Sequence, residues 1–174
     1  TTTINLSYGN GCVVEGAGFF LNNEMDDFSA KPGIPNAFGL IGNEANSIAP
    51  GKRPLSSMTP TIVLKDNKPF LVVGSPGGST IITTTMQTIL NVIDYEMDIK
   101  EAVCAPRFHS QWLPDVIQIE PRGLTKDVLV NLKSRGHEII YRGGYIGESN
   151  GIMITDEGFF GGGDCRGETS ALGY

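Results

Sequence analysis

Two short loops carry the residues best suited to bind and polarise a substrate. Residues 54–58 include the adjacent hydroxyls of Ser56 and Ser57, and residues 74–79 are the glycine-rich run Gly-Ser-Pro-Gly-Gly-Ser. Glycine lets a backbone approach a ligand closely, and N–H groups at a helix start favour negative charge. We therefore expect the loops to hold a carboxylate and to stabilise an oxyanion. Phosphate is a rival ligand, although no Lys-Ser or Lys-Thr pair follows the glycines, and a tight turn without ligand is the other alternative.

An acidic segment is the second candidate site. Residues 22–27 are Asn-Asn-Glu-Met-Asp-Asp, which places two amides beside three carboxylates. Such a cluster can bind a cation or a ligand ammonium group, or it can be a solvated acidic turn. Calcium is the obvious metal, but the segment lacks the glycine and the distal Glu of an EF-hand loop.

The glycine-rich loop lies between a predicted hairpin and a predicted helix. Residues 61–64 and 70–73 are short apolar runs separated by the polar residues 65–68, which predicts a β-hairpin. Apolar residues then recur at helical spacing and predict one buried helix face, comprising Ile82, Met86, Ile89 and Ile93. Ser79 or Thr80 is the expected N-cap of this helix.

The remaining pattern predicts a single α/β domain over residues 1–174. Helices are expected from Asp98 to Cys104 and after Thr125, the second ending at Gly136. Strands are expected over residues 1–8, 18–21, 116–119, 138–141, 152–155 and 159–160. Residues 29–54 have no clear periodicity, and a loop of that length is usually functional or mobile. Trp112 is expected in the core, and residues 107–109 in packing or turns.

Composition excludes several classes of function. The chain has 174 residues, 40% of them hydrophobic, which suffices for one domain with a core. Its net charge of −6 and its lack of a basic cluster argue against nucleic acid as a partner. No segment approaches the roughly 20 apolar residues of a membrane span. Cys12, Cys104 and Cys165 are too widely spaced to indicate a disulfide framework or a zinc site.

A histidine-based triad is disfavoured. His109 and His137 are the chain's two histidines, and no Gly-x-Ser-x-Gly elbow accompanies them. His137 directly follows the expected end of a helix, where surface histidines are common. A mechanism based on histidine is therefore not expected.

Taken in order, five segments resemble the small subunit of γ-glutamyltranspeptidase. They are residues 21–28, 52–58, 74–79, 105–109 and the closing Gly173-Tyr174. The resemblance covers nearly the whole chain. It implies an N-terminal nucleophile hydrolase with an αββα four-layer sandwich, completed by a large subunit from the same self-cleaving precursor.

The resemblance assigns roles to both loops. Gly77 and Gly78 match the oxyanion-hole pair, whose N–H groups would stabilise charge on the γ-glutamyl carbonyl. Ser56 and Ser57 match hydroxyls that bind the α-carboxylate of the donor. An Arg of the large subunit would supply the positive charge there.

The acidic segment and the chain start also acquire roles from the resemblance. Asp27 and Glu24 match groups that face the α-ammonium of the donor, with Asn5 beside them. Thr3 matches the threonine whose hydroxyl supports the nucleophile. Residues 32–54 match the lid loop of bacterial members, in which Phe38 stands where Tyr is common and could shield the site without donating a hydrogen bond.

The nucleophile itself is expected outside this sequence. A terminal Thr can use its own α-amine as base, so Thr1 is a tempting candidate. In the family, however, the nucleophilic Thr lies in a strand upstream of the position that Thr1 matches. Because Thr1 is only two positions before Thr3, one strand cannot place it in both the catalytic and the supporting position. The resembling chain is thus expected to lack the family's first strand, through truncation or disorder.

The resemblance implies γ-glutamyl transfer or hydrolysis through an acyl-enzyme. Glutathione and other γ-glutamyl compounds would be donors, and amino acids, peptides or water would be acceptors. No cofactor and no metal are expected, and the location would be periplasmic or extracellular. Alternatives are a related cephalosporin acylase or capsule depolymerase, or an inactive module that binds γ-glutamyl or amino-acid ligands.

Overall fold

The computed structural model describes residues 3–173, which form two compact units that divide between Met58 and Thr59. Thr1, considered above as a nucleophile, and Tyr174 lie outside the described residues. Among residues 3–173, no helix combines the length and the apolar character needed to cross a bilayer.

The first unit consists mainly of turns and two short 3-10 helices, Glu24–Asp27 and Glu44–Asn46. Its β-structure within residues 3–58 is limited to isolated bridges, such as the one between Val13 and Phe20. The long segment after residue 29, expected to be irregular, is held by side-chain amides rather than by a regular ladder.

The prediction of strands over residues 1–8 and 18–21 is wrong for the described part of the chain, since residues 3–8 and 18–21 form no strand. Successive turns occupy this region, with Gly9 N–H bonded to Leu6 and Gly11 N–H bonded to Tyr8. Gly9 has a φ of 53°, and a Cβ there would overlap the carbonyl of Leu21. This close approach favours a turn over an extended strand, despite the β-forming residues nearby.

The second unit contains a four-stranded antiparallel sheet in the order β1-β2-β6-β7. Its strands are β1 (Thr61–Lys65), β2 (Lys68–Gly74), β6 (Asn150–Thr155) and β7 (Gly158–Gly162). Both predicted hairpins are confirmed. The first turns at Asp66 and Asn67, whose φ angles of 53° and 61° match the left-handed conformation that such two-residue turns require.

Helix α1 (Ile81–Ile93) follows the glycine-rich loop as predicted, after a 3-10 turn at Gly78–Thr80. Its predicted buried face is wrong, since Ile82 is 66% exposed and Ile93 is 48% exposed. The buried side chains are instead mostly polar: Ile81, Thr84, Thr85, Gln87, Thr88 and Val92. Periodicity locates the apolar face of α1, but it cannot show that the polar face is the buried one. On that face Gln87 and Thr88 are hydrogen-bonded, whereas Thr84 Oγ1 and Thr85 Oγ1 have no hydrogen-bond partner among residues 3–173.

Helix α2 (Ile99–Cys104) begins with the expected cap. The side chain of Asp98 accepts a hydrogen bond from the N–H of Glu101, and Glu101 Oε2 accepts one from the N–H of Asp98. The core of this unit lies between the sheet and helices α1 and α2, and it consists of Leu71, Val73, Val92, Ile99, Ala102 and Val103.

A second sheet has three strands in the order β3-β4-β5: β3 (Phe108–Ser110), β4 (Ile117–Ile119) and β5 (Ile139–Tyr141). Helix α3 (Lys126–Ser134) connects the parallel pair β4 and β5. It begins after Thr125 and ends before Gly136 (φ 92°), as predicted. Trp112 is 87% exposed, so its predicted place in the core is wrong.

The arrangement confirms the mixed α/β class. Helices α1 and α2 cover one face of the four-stranded sheet. On the opposite face, Ile62 and Ile152 flank Val72 in register, and Ile62 is 64% exposed. Open apolar sheet faces normally pack against a further layer.

Candidate active site

The 3-10 helix Glu24–Asp27 presents the predicted acidic group. Asp27 is buried, with 8% of its surface exposed, whereas Glu24 is half-buried. Among residues 3–173, the carboxylate of Asp27 takes part in none of the ion pairs. Burying a carboxylate is costly unless a cation or donor compensates it. The site therefore favours a ligand that brings a positive charge to Asp27.

Asn23 attaches the chain start to this helix. Its N–H donates to the carbonyl of Ile4 at 3.2 Å, and its Oδ1 accepts from the N–H of Leu6 at 3.0 Å. Asn5 lies between them with a φ of 71°, and its N–H donates to Thr3 Oγ1 at 2.9 Å. Thr3 and Asn5 are thereby brought beside the acidic helix, although they lie about twenty positions before it in the sequence.

Asn46 connects the acidic helix to the serine loop. Its Nδ2 donates to the carbonyl oxygen of Asp27 at 2.7 Å, while its Oδ1 accepts from the N–H of Leu55 at 3.0 Å. Leu55 immediately precedes the exposed Ser56 and the half-buried Ser57. Donors for a carboxylate and acceptors for an ammonium group are thus linked within the first unit.

Asp26, the neighbour of Asp27, holds residues 32–54, the segment that matches the lid loop of the family. Its Oδ2 accepts from the N–H of Ala37 at 2.9 Å. Asn36 shapes the tip, because its Oδ1 accepts from the N–H groups of Phe38 and Leu40. Phe38 is 39% exposed.

Gly77 and Gly78 have the backbone geometry of an anion-binding turn. Their φ angles are 139° and 57°, values that side-chain-bearing residues rarely adopt. The carbonyl of Gly77 accepts from both the N–H and the Oγ1 of Thr80, so it points into the helix start. Within residues 3–173, neither glycine N–H donates to a backbone carbonyl in these turn contacts. Both therefore remain available to an oxyanion.

A second loop supports the glycines from behind. Gly147 lies so close that a Cβ on Gly77 would come within 3.2 Å of its Cα. The N–H of Glu148 donates to Ser75 Oγ at 3.1 Å. The position of residues 146–149 thus decides where the glycine-rich loop lies.

A buried charge cluster holds residues 146–149. Glu120 Oε1 accepts from the N–H of Ile146 at 2.7 Å, and Asp164 Oδ2 accepts from the N–H of Ser149 at 2.6 Å. Arg107 pairs with Asp164 at 2.7 Å, and its Nη1 donates to the carbonyl of Ile146.

Arg166 completes this cluster. It pairs with Glu120 at 2.6 Å and with Asp164 at 2.9 Å. Burial alone would raise the pKa of both carboxyl groups. Hydrogen bonds from the Arg166 side chain and from the backbone N–H groups of Ile146 and Arg107 nevertheless lower the pKa of Glu120, and hydrogen bonds from the side chains of Arg107 and Arg166 lower that of Asp164. Burial lowers the pKa of Arg107, whereas the pKa of Arg166 is raised despite burial because Glu120 and Asp164 hydrogen-bond to it. Both carboxylates are therefore ionised at neutral pH.

His109 is held in place by neighbouring side chains of the second unit. It is buried in β3, with Nδ1 hydrogen-bonded to Thr83 Oγ1 and Nε2 to Gln111 Oε1, each at 2.8 Å. Among residues 3–173, no group of three or more His, Cys, Asp or Glu side chains could hold a metal ion.

Sequence reasoning missed the residues that position the candidate site. Asn36 and Asn46 stand in a stretch rich in Asn, which was the available signal, whereas Asn23 already belonged to the acidic candidate segment. Arg107 and Asp164 are 57 positions apart and give no local signal.

Comparison with known proteins agrees with this geometry. A model of the family described as gamma-glutamyltranspeptidase matches residues 1–174. The chain belongs to the gamma-glutamyltranspeptidase family. It is 50% identical to a glutathione hydrolase proenzyme of Escherichia coli (strain K12) and 46% identical to one of Pseudomonas aeruginosa, over 95% and 99% of its length. It spans 28% and 31% of those gamma-glutamyltranspeptidase relatives.

A comparison with a solved structure identifies the same family from the fold. A variant of Helicobacter pylori gamma-glutamyltranspeptidase superposes with a TM-score of 0.86 at 58% identity, covering 96% of this chain and 91% of that chain. The mixed α/β fold of this chain is therefore that of a gamma-glutamyltranspeptidase of the N-terminal nucleophile hydrolase type.

Proposed function

We propose that this chain is the catalytic portion of a γ-glutamyltransferase and glutathione hydrolase. The observation that carries the proposal is the Gly77-Gly78 turn, whose N–H groups are free of backbone partners among residues 3–173 at the start of a helix. Backbone donors arranged before the reaction begins stabilise a developing oxyanion. Relatives named glutathione hydrolase proenzymes, at 46–50% identity, support this activity.

In the proposed reaction an N-terminal Thr, located upstream of Thr1, attacks the γ-glutamyl carbonyl of the donor. The carbonyl oxygen becomes an oxyanion at Gly77 and Gly78, the C–N bond breaks, and cysteinylglycine or an amine leaves with the proton. An amino acid, a peptide or water then attacks the γ-glutamyl-threonine ester and regenerates the Thr. Thr3 supports the nucleophile through its hydroxyl.

The donor is recognised through its amino-acid end. Asp27 and Glu24 attract the α-ammonium group, and Asn5 orients it. Ser56 and Ser57 donate to the α-carboxylate, and Phe38 shields the pocket from water. The buried carboxylate of Asp27, unpaired among residues 3–173, supports a donor with a free α-amino group.

The partner in this proposal is a large subunit from the same precursor. The relatives are proenzymes more than three times the length of this chain. The exposed apolar face of Ile62, Val72 and Ile152 and the exposed Ile82 and Ile93 of α1 give such a subunit two surfaces to cover. Periplasmic or extracellular location is proposed from the family resemblance alone.

The discriminating test compares γ-glutamyl-p-nitroanilide with glutaryl-p-nitroanilide, which lacks the α-amino group. The full-length protein, after self-cleavage, is expected to release nitroaniline from the first and to prefer it at least tenfold in kcat/KM. A preference for the glutaryl compound would instead indicate a related acylase. Tight binding of glutamate without turnover of either compound would indicate an inactive binding module. Neither alternative is favoured by the relatives found.

A further inference from the structure

Two cysteines that are distant in sequence meet in the second unit. Cys104 is the last residue of α2, and Cys165 follows β7. The Sγ of Cys165 lies 3.9 Å from the carbonyl oxygen of Cys104. Hydrogen bonding to Cys104 is the main reason that the pKa of Cys165 is raised, and partial burial adds to it.

Their approach is imposed by the residues beside them. Arg166 donates from Nη1 to the carbonyl of Val103 at 3.0 Å and from Nη2 to that of Ala105 at 2.8 Å. Its guanidinium thus lies against the carbonyl groups on either side of Cys104. On the other side of Cys165, Asp164 is fixed by its ion pairs with Arg107 and Arg166. Both cysteine backbones are held by a buried charge cluster, so the approach of Cys165 to Cys104 is part of the fold.

We propose that Cys104 and Cys165 form an intramolecular disulfide when the protein reacts with a disulfide oxidant. The proposal is independent of the γ-glutamyl chemistry. The two residues are separated by 61 positions, so the bond would join the end of α2 to the segment after β7. Neither cysteine contributes to the candidate active site described above.

The reaction balances with glutathione disulfide as oxidant. The thiolate of the exposed Cys165 attacks one sulfur of glutathione disulfide, forming a mixed disulfide and releasing one glutathione thiolate. The thiolate of Cys104 then attacks the Cys165 sulfur and releases the second glutathione. The two cysteines lose two electrons and two protons, and glutathione disulfide is reduced to two glutathione molecules.

Cys12 provides an internal control. It is an exposed free thiol in the first unit, whereas the other two cysteines of the sequence lie in the second unit. Glutathione disulfide is therefore expected to leave Cys12 free or to convert it to a mixed disulfide. It should not join Cys12 to another cysteine of the chain.

The test is peptide mapping of the full-length protein after treatment with glutathione disulfide and alkylation of the remaining thiols. Tryptic digestion without reductant should give a cross-linked species joining residues 101–107 to 143–166. Cys12→Ser should retain this species, and Cys165→Ser should abolish it. Separate glutathione adducts or alkylated thiols at both Cys104 and Cys165 would overturn the proposal.

Thermal unfolding gives a second measurement. Closing a loop of this size restricts the unfolded chain, so oxidation should raise Tm by on the order of 5–10 °C. Reductant should reverse the shift, and Cys165→Ser should not show it. Because Cys165 is exposed, serine there is expected to leave the fold intact. A cross-link without any rise in Tm would show that the bond strains the fold and would contradict the geometry proposed here.

Discussion

The side-chain amide of Asn46 donates a 2.7 Å hydrogen bond to the backbone carbonyl of Asp27. Its Oδ1 accepts a hydrogen bond from the N–H of Leu55, so one residue connects the acidic helix to the serine loop. The proposed ammonium and carboxylate contacts of a γ-glutamyl donor would thereby be held at a fixed spacing. Asn46 was not predicted, and it acts by positioning other residues.

Replacing Asn46 should weaken donor binding. Asn46→Ala removes both hydrogen bonds, and we expect KM for γ-glutamyl-p-nitroanilide to rise about tenfold with a smaller change in kcat, equivalent to about 1.4 kcal/mol. Steady-state kinetics measure this split. Asn131→Ala, in the exposed part of α3, is the matched control and should change neither constant. An unchanged KM in Asn46→Ala would contradict the positioning role.

Removing the charge of Asp27 should selectively weaken donors that carry an α-amino group. Asp27→Asn keeps the size of the side chain, so the loss should be electrostatic, about 2 kcal/mol or roughly thirtyfold in kcat/KM. The glutaryl compound serves as the control donor, since it has no ammonium group to lose. Equal losses for both donors would show that Asp27 supports the fold instead of the ligand.

The bond between Asp26 and Ala37 should restrain the segment that contains Phe38. Asp26→Ala removes the acceptor of the Ala37 N–H, whereas Asp26→Asn retains an amide oxygen in the same place. Limited proteolysis with chymotrypsin should cleave the alanine variant after Phe38 or Leu40 several times faster than the wild type. The asparagine variant should be cleaved at close to the wild-type rate, and a rate as high as that of the alanine variant would refute this restraint.

A side chain at Gly77 should disturb the proposed oxyanion site. Gly77→Ala forces alanine into a φ of 139° and places its Cβ against Thr80 Oγ1 and the backbone of Gly147. We expect kcat to fall by about 100-fold or more, as when an oxyanion donor is lost. Gly144→Ala is the control, because its Cβ would meet open space. Circular dichroism should show that both variants remain folded, and full activity of Gly77→Ala would exclude the oxyanion role.

Breaking the buried charge cluster should reduce stability in a pH-dependent manner. Asp164→Asn leaves Arg107 without its carboxylate, and we expect the free energy of unfolding at pH 7 to fall by about 3–5 kcal/mol. Because the folded-state pKa of Asp164 is lowered, its contribution is present above the usual carboxyl pKa and is lost as pH falls through the lowered value. Urea unfolding between pH 7 and pH 3 measures both effects.

The variant should therefore approach the wild type in stability at the acid end of that range. Asp115→Asn, at an exposed position, is the control and should leave the pH profile unchanged. A constant difference between the wild type and Asp164→Asn from pH 7 to pH 3 would show that ionisation of Asp164 does not contribute.

Much of the local structure follows from the sequence alone. The turn at Asp66 and Asn67 was predicted because those residue types tolerate left-handed φ angles. The cap of α2 at Asp98 was predicted because aspartate is favoured at the N-cap, whereas the completing contact of Glu101 is seen only in the structure. Local rules failed at residues 6–11, where close contact with Leu21 decides in favour of a turn.

The sequence by itself determined the elements that depend on residues close together in the chain: the hairpins, the cap of α2, the glycine turn and the motifs that carry the family resemblance. Only the tertiary structure decided which face of α1 is buried, where Thr88 Oγ1 donates a hydrogen bond to Ser149 Oγ, a residue 61 positions away. It also decided the contacts of Asn46 and the pairing of Arg107 with Asp164. Hydrogen bonds and ion pairs between distant residues depend on distances that the folded chain sets, and no spacing in the sequence encodes them directly.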